Sequence, residues 1–164
     1  MRKVARLAGM MWMAAALLPG AGIAHAQFVQ SQQAAIYPDP GVANTELAAA
    51  LHTARTEHKN VILDFGGNWC GDCKVLNIYF HQEPNLSLLD KNFVLVDVNV
   101  GHFDANTDLA DRYGIPLHKG VPALAVLDEH GKLLYSQKNG EFESMRRMDP
   151  SSVTEFLNQW KPKR

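Results

Sequence analysis

Asp64-Phe65-Gly66-Gly67-Asn68-Trp69-Cys70-Gly71-Asp72-Cys73-Lys74 holds both cysteines of the chain. Upstream, Val61-Ile62-Leu63-Asp64-Phe65 reads as a strand stopped by Gly66-Gly67. Downstream, Lys74 to Phe80 carries a helical stripe through Val75, Leu76, Ile78, Tyr79 and Phe80. The cysteines therefore stand where a strand gives way to a helix that Cys70 opens. Free amide N–H groups and the positive dipole end of a first helical turn stabilise a thiolate at that place. Such a thiolate attacks a substrate disulfide, and Cys73, one turn on, displaces the substrate thiol from the mixed disulfide. Two blander readings compete. A structural bridge between Cys70 and Cys73 closes a very short loop and constrains little of the unfolded chain. A structural zinc site wants four Cys or His ligands. There is no second CxxC, and His81, His102 and His118 follow no ligand spacing. Redox exchange is the stronger reading, and no metal is expected. The alternative function is a copper or zinc carrier that uses Cys70, Cys73 and a histidine.

Working outward, Asn44 or Thr45 is expected to cap a helix with Leu47, Leu51 and Ala54 on one face. Phe93 to Val100 reads as a second, fully apolar strand, after a short helix over 86–90. Thr107 to Tyr113 is a short helix closed by Gly114, and Pro122 to Leu127 a third strand. Glu129-His130-Gly131-Lys132 is a hairpin turn into a fourth strand over 133–137. Asp149-Pro150-Ser151 opens a last helix with Val153, Phe156, Leu157 and Trp160 inward. Helices alternate with strands early and a hairpin comes late, which implies an α/β fold with a mixed sheet covered on both faces.

Composition agrees with one domain: 164 residues, 46 % hydrophobic, formal net charge −1. The chain is too apolar for a disordered tail, has no basic footprint for nucleic acid, and has too few cysteines for a disulfide-stapled scaffold. Residues 1–26 have the three-part layout of a secretory signal peptide. Arg2, Lys3 and Arg6 precede an uncharged run over 7–18, and Ala24-His25-Ala26 sets up a cut before Gln27. The apolar run is too short to span a bilayer. Cleavage leaves 138 residues at a net charge of −4. Residues 27–42 then form a linker or N-terminal extension, and 43–164 the domain. Export into a bacterial periplasm is expected, where disulfides form and persist.

The quoted stretch resembles the thioredoxin active-site segment: an acid six residues before the first cysteine, a Trp before it, and a Lys after the second. Tyr113-Gly114-Ile115 followed by Gly120-Val121-Pro122 is similar to the family's segment that ends in a cis-proline. The resemblance covers about residues 43–160 and implies a thioredoxin fold with Pro122 packed beside the cysteine pair. It implies that Cys70 is the nucleophile, Cys73 resolves, and the backbone of Val121 pairs with a bound substrate chain. Trp69, Gly71 and Asp72 would complete the substrate-facing surface. Asp64 interrupts an apolar strand, so a buried carboxyl with a raised pKa is expected, able to take the proton of Cys73. The activity implied is protein thiol–disulfide exchange by a monomer without organic cofactor. Its electrons would come from another thiol protein, such as a membrane reductant carrier.

Four departures qualify the resemblance. Gly71-Asp72 replaces the usual Gly-Pro, and the Asp72 charge beside the thiolate predicts a reducing couple. Asp97 stands where thioredoxins commonly carry a lysine beside the buried acid. Pro116-Leu117-His118-Lys119 adds residues before Val121, with His118 expected to be solvated. Asn139–Met148, including Arg146 and Arg147, is expected to be a solvated loop. Asp104-Ala105-Asn106-Thr107-Asp108 begins like a calcium loop but lacks its glycine and distal glutamate, so helix capping is expected of it. Asn85-Leu86-Ser87 is a glycosylation triplet only in a eukaryotic secretory host.

Overall fold

A computed structural model describes residues 35–163. The expected signal segment 1–26 and its cut before Gln27 lie outside them. Four strands form one mixed sheet in the order β2-β1-β3-β4. Strand β1 (Asn60–Gly66) runs parallel to β2 (Phe93–Asn99) and antiparallel to β3 (Ala123–Leu127). Strand β4 (Leu133–Ser136) pairs antiparallel with β3 across the expected hairpin. The helices are α1 (Ala43–Glu57), α2 (Gly71–Phe80), α3 (Asn85–Asn92), α4 (Thr107–Arg112) and α5 (Ser151–Trp160). None of the described helices is long and apolar enough to cross a membrane.

Strand alternation sorts the core into two layers. Val61, Leu63 and Phe65 of β1 pack with Leu47, Ala50 and Ala54 of α1 and with Leu109 and Ala110 of α4. On the other side Ile62, Leu124 and Val126 pack with Leu76 and Phe80 of α2, Leu89 of α3, and Val153, Phe156 and Leu157 of α5. Because β1 is central, it is buried at every position. The expectation of a fully apolar, covered second strand is corrected: β2 is a sheet edge, and Val94, Leu95, Asp97 and Asn99 are only half-buried.

Two capping expectations are also corrected. Neither Asn44 nor Thr45 caps α1; both lie inside its first turn, and the position before it is Val42. A 3-10 turn over Pro40–Val42 feeds directly into α1, and Asp39 caps that turn by accepting from the Gly41 N–H at 2.8 Å. Asn106 precedes α4 without capping it. Its side-chain amide donates instead to the carbonyls of Pro40 and Asn99.

Asn106 is one of three asparagines that tie down residues 37–40. Asn99 donates to the Pro38 carbonyl at 2.7 Å, and Asn68 both accepts from the Tyr37 N–H and donates to the Tyr37 carbonyl. Tyr37 is thereby fully buried in the α1-side core. The stretch read as a turn-dense linker thus delivers a side chain to the interior.

Candidate active site

Cys70 adopts extended backbone at the N-terminal cap of α2, and its sulfur accepts from the Cys73 N–H at 3.1 Å. The two cysteines form a disulfide, with Cα atoms 5.3 Å apart. Cys73 is fully buried and Cys70 is 5 % exposed, so Cys70 is the more accessible of the two. An orphan amide of the first helical turn pointing at Cys70 is the arrangement that stabilises a thiolate and so lowers the pKa of a thiol at this place.

Both glycines before the loop are required by close approach. A Cβ at Gly66 would fall on the hydroxyl of Tyr37, and one at Gly67 would strike the indole of Trp69. Trp69 is 45 % exposed. Its ring stacks on His102 at 5.7 Å between centroids and meets Phe103 edge-on at 5.4 Å, while its N–H donates to the Gly101 carbonyl. The indole is therefore held flat beside the cysteines as surface, not as core.

The Val121–Pro122 bond is cis, and the Val121 carbonyl oxygen lies 3.5 Å from the Cys70 sulfur. A second cis bond joins Glu83 to Pro84. Gln137, buried just past β4, braces the start of β3. Its side-chain oxygen accepts from the Leu124 N–H, and its amide donates to the Pro122 carbonyl. Sequence reading treated Gln137 as the end of a strand; only its burial reveals this role.

Asp64 is 1 % exposed in β1. One carboxyl oxygen accepts from the Tyr37 hydroxyl at 2.8 Å; the other has no hydrogen-bond partner among the described residues. Asp64 and Asp97 are register partners in the parallel ladder, so both side chains leave the sheet on the same face. Burial first, then the Asp97 charge, push the Asp64 carboxyl well above the usual range, with the Tyr37 hydrogen bond opposing. Asp97 is itself pushed up to about 6, chiefly by burial. The absent lysine is thus replaced by a like charge, which raises Asp64 further. Burial first, then Asp64, push the Tyr37 hydroxyl far up, so it remains a donor. Tyr37 carried no motif, because its partner is 27 positions away.

Two expectations about the rim fail together. Asp72 does not face the thiolate as a free charge: Arg146 holds its carboxylate through the backbone N–H at 2.9 Å and through Nε and Nη2 at 3.1 and 2.9 Å. The 139–148 segment is not a solvated loop either. Met145 is fully buried, and Phe142 packs edge-on against Phe156 of α5 at 5.1 Å. His118 is exposed and lines an open groove of about 750 Å³ with Phe103, Thr107, Asp111, Ile115 and Leu117. Neither cysteine lines that groove. Among the described residues, no three of His, Cys, Asp and Glu come together as a metal-holding group.

A thioredoxin-like family profile matches residues 43–129, more than half of the chain. The chain belongs to the thioredoxin-like family. The solved structure of a disulphide isomerase from Xylella fastidiosa is 35 % identical, with a TM-score of 0.72 over 76 % of this chain and 95 % of that one. A thioredoxin from Mycoplasmoides gallisepticum is 32 % identical over 52 % of this chain and 75 % of its own. The thiol:disulfide interchange protein DsbD of Pseudomonas fluorescens is 28 % identical over 70 % of this chain. This chain spans only 18 % of that relative's length.

Proposed function

We propose that this protein is a thiol–disulfide oxidoreductase that exchanges electrons with protein thiols and disulfides in an exported, periplasmic compartment. The observation that carries the reading is the disulfide-bonded Cys70–Cys73 pair at the N-terminus of α2, with Cys70 the more accessible and Cys73 fully buried. The Cys70 thiolate attacks a substrate disulfide, held to it by the helix amide and flanked by the Val121 carbonyl and Trp69. Cys73 then attacks the mixed disulfide, and its proton passes to the Asp64 carboxylate, which burial makes a stronger base than an ordinary carboxylate. Substrate backbone lies along Val121 and Pro122, with Trp69, Gly71 and Asp72 at the rim.

The three-part address over 1–26 supports export, and the electrons come from another thiol protein, such as a membrane reductant carrier. The working direction is reductive, by a smaller margin than a free Asp72 charge would give, because Arg146 offsets that carboxylate. Insulin reduction driven by dithiothreitol tests the activity: the wild-type protein accelerates it and Cys70→Ser does not. A redox titration against glutathione tests the direction. A potential near that of a strong oxidant, about −120 mV, overturns the reductive assignment. Recovery from periplasmic extract of a chain beginning at Gln27 tests the address; recovery only in the cytoplasm overturns it.

A further inference from the structure

Asp72 lies between the two cysteines in the first turn of α2, and the arginine that holds it comes from 74 positions away. The guanidinium takes one carboxylate oxygen with two N–H groups, and the Arg146 backbone takes the other. It also lies along Gly71, where a Cβ would meet it at 3.7–3.8 Å. Its turn, Met145–Arg147, is anchored from beneath by Met145, which is fully buried in the core layer that holds Leu76 and Phe80 of α2. A cation on an anchored turn is thus fixed to the only residues that separate the cysteines.

We propose that Arg146 is a positioning residue for disulfide exchange, which fixes Asp72 and cancels its charge so that the Cys70 thiolate forms without an opposing carboxylate. This rests on the oxidoreductase reading above. Asp72 is held low by the Arg146 hydrogen bonds, so the pair stays ionised wherever the exchange runs. The exchange keeps its balance: two electrons pass from the Cys70–Cys73 dithiol to a substrate disulfide, and the dithiol protons end on the released substrate thiols. Arg146 changes only how much of Cys70 is thiolate. The other charged or titratable groups on the surrounding elements include Lys74 on α2, Arg147 beside Arg146, Glu143 against Gly120, His102 stacked on Trp69, His118 before Val121, and Asp64 with Asp97 in the sheet.

The test is the pH profile of Cys70 alkylation by iodoacetamide in the reduced full chain, with the reduction potential measured alongside. Arg146→Gln leaves Asp72 uncompensated and is expected to raise the Cys70 pKa by about half a unit to one unit. The potential becomes more negative, and 1 M salt shrinks both shifts. Asp72→Asn shifts the pKa the other way, and the double variant Asp72→Asn/Arg146→Gln returns close to wild type. Arg146→Lys keeps the charge without the fork and recovers most of the wild-type profile. An unchanged profile in Arg146→Gln, even with a lowered melting temperature, makes the clasp structural only and overturns the proposal. The same shift in Arg146→Gln and in the double variant overturns it too. Should Arg146→Gln not fold, Asp72→Asn is compared with the double variant: a lower Cys70 pKa in Asp72→Asn supports the proposal, and equal values in the two overturn it. Wild-type protein that fails to reduce insulin while these shifts appear sinks the oxidoreductase reading and leaves the electrostatic role standing.

Discussion

Asp64 in β1 and Asp72 in the first turn of α2 flank Cys70 in sequence, and their surroundings are reversed. Asp64 is buried, faces a second carboxyl across the ladder, and is matched by a single hydroxyl. Asp72 is at the surface and takes three hydrogen bonds from one arginine. Burial drives the first up, and hydrogen bonds to a cation drive the second down. One acid is built to gain and lose a proton; the other is built never to. Under the proposed function, proton handling belongs to the interior and charge control to the rim, and of the two cysteines Cys73 is the deeper and Cys70 the more accessible.

The strongest way to break that division is to exchange the fates of the cysteines. Cys70→Ala is expected to abolish insulin reduction, by about three orders of magnitude or more, and to capture no partner. Cys73→Ala loses turnover equally but accumulates mixed disulfides on Cys70, visible on non-reducing gels. Mixed disulfides captured at Cys73 instead would reverse the assignment of inside and outside.

Removing the interior acid comes next. Asp64→Asn is expected to slow resolution about tenfold to a hundredfold while the first attack by Cys70 proceeds, a split that single-turnover kinetics resolves. Asp97→Asn removes the neighbouring charge, so the pH midpoint for resolution should fall towards the ordinary carboxyl range. An unmoved midpoint would mean that Asp97 does not act on Asp64.

Much of this was legible before any coordinates. The strand–Gly-Gly–Trp-Cys junction and the buried Asp64 are local in sequence, and local chemistry reads them; the cis-proline at 122 was implied only by the family resemblance. What stayed hidden joins distant positions: Tyr37 to Asp64, Gln137 to Pro122, Arg146 to Asp72. Gly66 and Gly67 read as a strand stop, yet each is empty of Cβ because an aromatic ring occupies that space. Apolar composition does not place β2 in the sheet, since an edge strand that packs α1 on one face carries much the same residues as a central one. The 139–148 segment read as loop because it has no period, and a turn anchored by one methionine needs none.

Tyr37→Phe tests the smallest part of the interior that still matters. It strands the second Asp64 oxygen in a buried site, at a cost of about 1–3 kcal/mol in denaturant unfolding at neutral pH. The lost hydrogen bond was the one influence lowering Asp64, so the resolution midpoint should rise. If stability falls with no change in midpoint, Tyr37 is packing alone.

Stability against pH separates the two regions most quietly. A carboxyl whose folded pKa is raised leaves the unfolded state to ionise first. Stability therefore declines as pH climbs from the ordinary 3.8 through the folded value, which is about 6 for Asp97. Asp97→Asn should relieve that decline, with its full gain, on the order of 1–3 kcal/mol, present above pH 6 and absent below pH 4. Asp72 has the opposite sign. Its folded pKa is lowered, so its contribution is present above 3.8 and is lost only as pH falls through the lower folded value. Asp72→Asn should accordingly shift the urea midpoint slightly downward at pH 6, and the wild-type advantage should vanish in strong acid. The effect is small because Arg146 is 69 % exposed and solvent screens the pair. A midpoint for Asp72→Asn that tracks Asp97→Asn across pH 4–6 would show that both acids answer to burial, and would erase the distinction between rim and interior.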